Sequence, residues 1–326
     1  MPTSRLLPCL LAGCLNTPPL VPPTVDEDPS LPSVQVNGSL FHVVEEGQPD
    51  GVPLIFLAGG PGNDALYLSR LGEPCDGVDL GASMRLVFWD QRGTGLSRRH
   101  DDESLLTLDT FEADLDALVD HLDPEGLGVV LAGHSWGGML AASYLNRHPE
   151  RVLGAVLLEP GEYSSDIWDD WVAAGGTSTV EIDFGAEWLN DIAWSSQLLT
   201  MHDHDALDLS ILIAARGVQP DRKNQEEAPT NRVGGAVIRS NFLGGFYPER
   251  FDFTTQLQDY PHEVLVVAGD TPTSDLGADF QRFQLDYLAN PTLEVIDGAG
   301  HTDVVWADAC TTVRLTHDYL QRQVVL

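Results

Sequence analysis

The chain is poor in basic residues. Lys and Arg together number 17 against 50 Asp and Glu in 326 residues, a formal net charge of −33. A surface this acidic repels phosphate backbones and anionic headgroups, which argues against nucleic-acid binding and against docking on a membrane through a basic patch. The acid is spread along the chain rather than gathered in a tail, so it speaks first for solubility and only second for a preference for cationic substrates. No apolar run approaches the roughly 20 residues that a membrane-spanning helix needs. The sequence also lacks an internal repeat, a phosphate-cradling glycine loop, a dinucleotide fingerprint and a metal-ligand cluster, so neither a metal nor another cofactor is expected. Cysteine is scarce. Cys9 and Cys14 lie at the extreme N-terminus, which leaves Cys75 and Cys310 as one pair. An oxidising compartment permits a bond between them. They are bonded or they are ordinary buried thiols, and the distance between their Cα atoms decides which.

What is present fits one α/β core carrying a sizeable insertion, with 43% hydrophobic residues to fill it. Residues 1–14, MPTSRLLPCLLAGC, hold one positive charge, Arg5, and then a short apolar stretch that ends Leu11-Ala12-Gly13-Cys14. This resembles the lipobox of bacterial lipoproteins, in which the signal is cut before a cysteine that is then acylated. The resemblance implies lipidation at Cys14 and an exported, membrane-anchored protein, periplasmic or at the cell surface. Residues 15–33 are Pro-rich and acidic without an apolar period, the composition of an extended tether.

From residue 34 onward, strands and helices alternate. Asn37-Gly38 between two short β-prone runs reads as a hairpin turn. The apolar runs at 52–58, 84–89, 128–132, 152–158, 263–268 and 292–296 read as strands buried on both faces. Between Asp109 and Leu122, Phe111, Leu115, Leu118, Val119 and Leu122 recur at helical spacing, and Gly137 to Arg147 is a second helical stretch. Such alternation implies a mostly parallel sheet with right-handed crossovers. Residues 161–260 break the rhythm with paired glycines, prolines and Trp168, Trp171, Trp188 and Trp194; patches such as 187–200 look helical. This segment reads as a cap between two parts of the core, 34–160 and 261–326.

The chemistry gathers at Gly133-His134-Ser135-Trp136-Gly137, a G-x-S-x-G between a strand and a helix. That is the context of a nucleophile elbow, where small residues flank a tight turn and the serine stands proud at a helix N-terminus. A nucleophilic serine needs a base. His301, in Gly298-Ala299-Gly300-His301 after the last strand, has the flexible loop that lets it reach the sheet edge; His134 adjoins Ser135 but must point away from its hydroxyl. An oxyanion hole needs two backbone N–H groups. Trp136 supplies one, and Gly59-Gly60-Pro61-Gly62 the other, through Gly60 because proline has no N–H.

Ala-Gly-Gly-Pro-Gly at 58–62, Asp-Gln-Arg-Gly-Thr-Gly-Leu-Ser at 90–97 and Gly-His-Ser-Trp-Gly-Gly at 133–138 resemble the prolyl aminopeptidase (proline iminopeptidase) branch of the α/β-hydrolase fold. The similarity covers 34–160 well and 261–326 in outline, and barely touches the cap. It implies a mostly parallel sheet flanked by helices, with a largely helical cap inserted before the last strands. It also implies a structural rather than catalytic role for Asp90, Arg92 and Ser97. Ala58 stands where the family usually has His. The family's acid would fall at Pro272, with Asp270 two residues early and Asp275 three late. Some haloalkane dehalogenases, which share this fold, resemble the other solution, a glutamate ending the strand after the nucleophile. Here that residue is Glu159. The acid is therefore Glu159, Asp270 or Asp275, or there is none.

The reading that results is a lipid-anchored serine hydrolase acting by acyl transfer on a small ester or amide. A prolyl-type aminopeptidase would need a carboxylate near the substrate amine, for which Glu162, Asp183 and Glu187 are candidates. A cleft that binds a small molecule or short peptide without turnover is the reading from another class. Acylation at Cys14 has a direct test. Cys14→Ser is expected to release the protein from membranes; continued membrane partitioning, with no lipid mass on the wild type, rules the anchor out.

Overall fold

The structure, a computed structural model, describes residues 21–176, 203–216, 228–271, 274 and 276–323. Eight strands form one sheet: β1 (Ser33–Val36), β2 (Ser39–Gly47), β3 (Val52–Leu57), β4 (Met84–Trp89), β5 (Val129–His134), β6 (Val152–Leu158), β7 (Val264–Gly269) and β8 (Pro291–Ile296), in the order β1-β2-β4-β3-β5-β6-β7-β8. The β1–β2 and β2–β4 pairs are antiparallel and the rest parallel. Asn37 and Gly38, at φ 42° and 72°, make the expected hairpin turn.

Side chains alternate across each strand, so a continuously apolar strand feeds two cores. Ile55, Leu57, Val87, Trp89 and Leu131 face one cluster; Leu54, Phe56, Leu86, Phe88 and Val130 face the other. Against the first pack α1 (Leu108–Leu122) and α2 (Trp136–Arg147). The α1 helix begins at the Thr107 cap, whose hydroxyl accepts the Thr110 N–H, and buries Phe111, Leu115, Leu118, Val119 and Leu122. Against the second cluster pack Tyr319 and Leu320 of α7 (Ala309–Gln323). Between β6 and β7 lie α3 (Ser165–Ala173), α4 (His204–Arg216) and α5 (Gly235–Leu243); α6 (Ala278–Gln284) follows β7. The helical patch read at 187–200 lies outside the described residues. No helix among the described residues is long and apolar enough to cross a membrane.

The stretch 15–33, read as a free tether, is corrected in its described part. Val25 is buried, and its N–H donates to the Leu96 carbonyl at 2.8 Å. Asp26 accepts two hydrogen bonds from Arg98, and Arg232 donates to the Pro22 carbonyl at 2.9 Å. One valine and a few polar anchors suffice to dock a proline-rich segment, and neither leaves an apolar period in the sequence. The Cα atoms of Cys75 and Cys310 are 5.5 Å apart and their sulfurs are bonded, tying the loop before β4 to the first turn of α7.

The Asp90–Ser97 motif acts as a bracket. Asp90 accepts the N–H groups of Ala65 and Leu96 and the His42 Nδ1–H. Gln91 donates to the Ala58 carbonyl and accepts the Trp136 indole N–H, both at 3.0 Å. Arg92 grips Asp114 of α1 with two hydrogen bonds, at 2.7 and 2.6 Å, and donates to the Asn37 carbonyl. Both charges are buried, and burial alone pushes the Asp114 carboxyl up while Arg92 pulls it back. Removing one partner of a buried pair strands the other. Arg92→Ala is therefore expected to cost about 3–5 kcal/mol of stability, measured by chemical denaturation. A loss below about 1 kcal/mol, the range of exposed pairs, would show that water reaches Asp114.

Candidate active site

Parallel register brings the site together. Leu57 pairs with Gly133, His134 with Leu158, and Leu158 with Val267. The residues just beyond these pairs, Ala58-Gly59, Ser135 and Glu159, thus leave the sheet side by side at its carboxyl edge, next to the last residues of β7, Ala268 and Gly269, where open α/β sheets place their ligands.

Ser135 and Glu159 have left-handed backbones, φ 56° and 40°, and among the described non-glycine residues only the turn residues Asn37 and Asp76 share that feature. Strain of this kind persists only where the surroundings enforce it. Here Ser135 N–H donates to the Leu158 carbonyl at 3.0 Å and Glu159 N–H to the Val267 carbonyl at 2.8 Å, so each turn is pinned to the neighbouring strand. At Gly133 a Cβ would run into the Gly137 carbonyl, and at Gly137 into the Leu57 carbonyl, so the elbow closes only with glycine on both sides. Ser135 caps α2, and Trp136 is its first residue. Amides in a helix's first turn have no carbonyl partner within the helix, so they are available to an anion. The Trp136 indole itself is turned away, edge-on to Phe111, Phe246 and Tyr247.

His301 Nδ1 lies 2.7 Å from Glu159 Oε2. Glu159 is wholly buried; its carboxylate also accepts the Gly269 N–H at 2.6 Å and the Ser274 hydroxyl at 2.8 Å. A buried carboxylate is costly without donors, and this one has three. With Nδ1 turned to Glu159, Nε2 is the ring nitrogen left for the cavity. Gly59, Gly60, Asn63, Tyr67, His134, Ser135, Ala228, Thr230, His301 and Thr302 line that cavity, of about 200 Å³. The three residues that a serine mechanism needs, and Gly60, are thereby brought to one place.

Asp270 is not. It is exposed, and Oδ1 accepts the Gly298 N–H at 2.6 Å, so it shapes the loop that carries His301 and leaves the ring to Glu159. It projects from the loop rather than the strand end, which is why the pairing goes to the longer side chain one strand nearer the nucleophile. Asp275, Asp183 and Glu187 lie outside the described residues, as does Cys14.

Several groups were invisible in the sequence. Asp64, beside the oxyanion loop, accepts the N–H groups of Asn231 and Arg232 at 2.5 and 3.0 Å and so fixes the stretch that brings Thr230 to the cavity. Burial, and Asp90 nearby, push its carboxyl up to about 7. Tyr67 and His134 join the oxyanion loop to the His301 loop. A tyrosine in a short 3₁₀ segment carries no sequence signal for such a contact.

A family model described as alpha/beta hydrolase fold matches residues 52–192, and together with the sheet and its flanking helices this establishes that the chain has the α/β-hydrolase fold. Within that fold it resembles the proline iminopeptidases. That of Neisseria meningitidis is 41% identical over 114 residues, 35% of this chain and 34% of the relative. That of Arabidopsis thaliana is 34% identical over 231 residues, 63% of this chain and 57% of the relative. The chain thus matches about a third of the length of the first of these relatives. The crystal structure of the Mycobacterium smegmatis proline iminopeptidase superposes with a TM-score of 0.58 at 21% identity, covering 89% of this chain and 98% of that one.

The geometry ranks the carboxylates. Glu159→Gln is expected to slow fluorophosphonate labelling of Ser135 by about 10²-fold or more, because an unoriented histidine in a serine triad costs up to about 10⁴-fold. Asp270→Asn is expected to stay near wild type. The reverse ranking would return the role to Asp270.

Proposed function

We propose that the protein is a serine hydrolase that transfers the acyl group of a small ester or amide to water through Ser135, His301 and Glu159. The observation that carries the proposal is the 2.7 Å contact between the buried Glu159 carboxylate and Nδ1 of His301, whose ring lines the same cavity as Ser135. In this reading His301 Nε2 takes the Ser135 hydroxyl proton as the oxygen attacks the substrate carbonyl. The tetrahedral oxyanion is met by the backbone N–H groups of Gly60 and Trp136. Collapse expels the alcohol or amine, which collects the proton from His301, and leaves an acyl ester on Ser135. Water, deprotonated by the same nitrogen, then releases the acid and restores the serine. Glu159 keeps the imidazole in the Nδ1–H tautomer and stabilises the imidazolium formed at each transfer.

A narrower reading, a prolyl-type aminopeptidase, draws support from the relatives and from Glu162. The Gly161 N–H before it reaches the Ser135 carbonyl at 3.4 Å, and burial holds the Glu162 carboxyl above its ordinary range. A substrate ammonium beside this carboxyl would offset the cost of its burial.

Ser135→Ala is expected to abolish fluorophosphonate labelling and the hydrolysis of a panel of aminoacyl-naphthylamides and short acyl esters, with the far-UV circular dichroism unchanged. Turnover that requires a free N-terminal amine supports the aminopeptidase reading, and indifference to the amine the esterase one. A folded wild type that neither labels nor turns over any panel member leaves a binding protein.

A further inference from the structure

We propose that Tyr67 and His134 are positioning residues, a buried bridge that holds the oxyanion loop and the His301 loop at a fixed separation across the Ser135 strand. The proposal rests on the serine-hydrolase reading above. Two side chains and two backbone groups make the bridge. The Gly59 N–H donates to the Tyr67 oxygen at 2.7 Å, the Tyr67 oxygen lies 2.9 Å from His134 Nδ1, and His134 Nε2 lies 2.9 Å from the His301 carbonyl oxygen. Both side chains are almost wholly buried.

Every proton in the bridge is assigned by chemistry. A carbonyl oxygen only accepts, so His134 Nε2 carries a hydrogen. Neutral imidazole has one N–H, which makes Nδ1 the acceptor and the Tyr67 hydroxyl its donor. The Tyr67 oxygen keeps a lone pair for the Gly59 N–H. Burial, with the His301 ring centroid 4.5 Å away, holds His134 well below its ordinary range and therefore neutral. Gly59 directly precedes the oxyanion donor Gly60, His134 directly precedes Ser135, and the accepting carbonyl belongs to His301 itself. One chain of hydrogen bonds thus runs from the backbone of the oxyanion loop, through the side chain next to Ser135, to the backbone of His301. Glu159 orients the His301 ring; the bridge fixes the backbone from which that ring hangs.

The test compares Tyr67→Phe, His134→Gln and His134→Leu with wild type in fluorophosphonate labelling and p-nitrophenyl acetate turnover, with thermal unfolding followed in parallel. A small displacement of a working group costs on the order of 10²-fold in rate, so His134→Leu is expected to label and turn over roughly 10²-fold more slowly, with KM within about threefold of wild type. Tyr67→Phe is expected to lose roughly tenfold, because it removes both hydrogen bonds of the hydroxyl and leaves only the Nε2 contact with the His301 carbonyl standing. His134→Gln, whose amide N–H can still donate to the His301 carbonyl, recovers most of the loss. Folded Tyr67→Phe and His134→Leu proteins with wild-type rates would overturn the proposal. So would a folded His134→Gln as slow as His134→Leu, since that outcome makes the histidine a packing residue. If His134→Leu does not fold, Tyr67→Phe decides alone, and a wild-type kcat there overturns the bridge. A wild type that does not label at all removes the serine-hydrolase reading, and this role with it, whereas wild-type labelling with unaffected variants removes only the bridge.

Discussion

The burial of Glu159 is the constraint on which the site depends. A carboxylate out of water costs several kcal/mol unless donors surround it, and the three around Glu159 arrive by separate routes. Gly269 comes from the end of β7 through the β6–β7 register, Ser274 from the loop after β7, and His301 from the loop after β8. A slip of one residue in that register would turn the side chain to the other face of the sheet and leave it in a core with no donor. The charge that the fold must satisfy is therefore the charge that orients the histidine, so the folding of the sheet and the orientation of the ring draw on the same contacts.

The opposite wall is held by the Asp90–Ser97 bracket. Asp90 fixes the far end of the oxyanion loop through Ala65, and Gln91 fixes its near end through Ala58 while also holding the indole of Trp136. That last contact explains how a large aromatic can follow Ser135 without filling the cavity: its one polar atom has a partner deep in the core, which is the condition for burying a tryptophan. Ala58, where the proline iminopeptidase branch usually has histidine, contributes its carbonyl to this bracket, a role that any side chain permits.

The core was legible because its signals are local. Six apolar runs marked six of the eight strands to within two residues at either end, the Asn37-Gly38 pair marked the hairpin, and the spacing of Phe111 to Leu122 marked the first helix. The convergence of Ser135, His301 and Glu159 was legible because each sits one to five residues beyond a strand end, where parallel register converts sequence position into spatial position. Asp270 shows the limit of that conversion, since a carboxylate a single residue past a strand was the second candidate for the acid and is bound instead to Gly298. Tyr67, Asp64 and the docking of residues 21–33 were not legible. They depend on contacts such as Asp64 with Asn231 and Arg232, 167 and 168 positions apart, which no local pattern encodes.

An overall charge of −33 looks hostile to a reaction that builds an oxyanion. The distances say otherwise. At physiological ionic strength, surface charges are screened over about 8 Å, whereas backbone donors in an oxyanion hole act at about 3 Å in a site that excludes water. Two acids near the cavity, Glu159 and Asp64, are each held by hydrogen-bond donors. Glu159 is tied to three donors, and Asp64, held by two backbone amides, is raised above the usual carboxylate range by its burial and by Asp90. A negative charge developing at Ser135, as proposed, would meet the N-terminus of α2 and the glycine loop. The acidity belongs to the surface and sets what approaches it, favouring neutral or cationic molecules, while the chemistry proposed at Ser135 is governed by the few fixed dipoles within contact range.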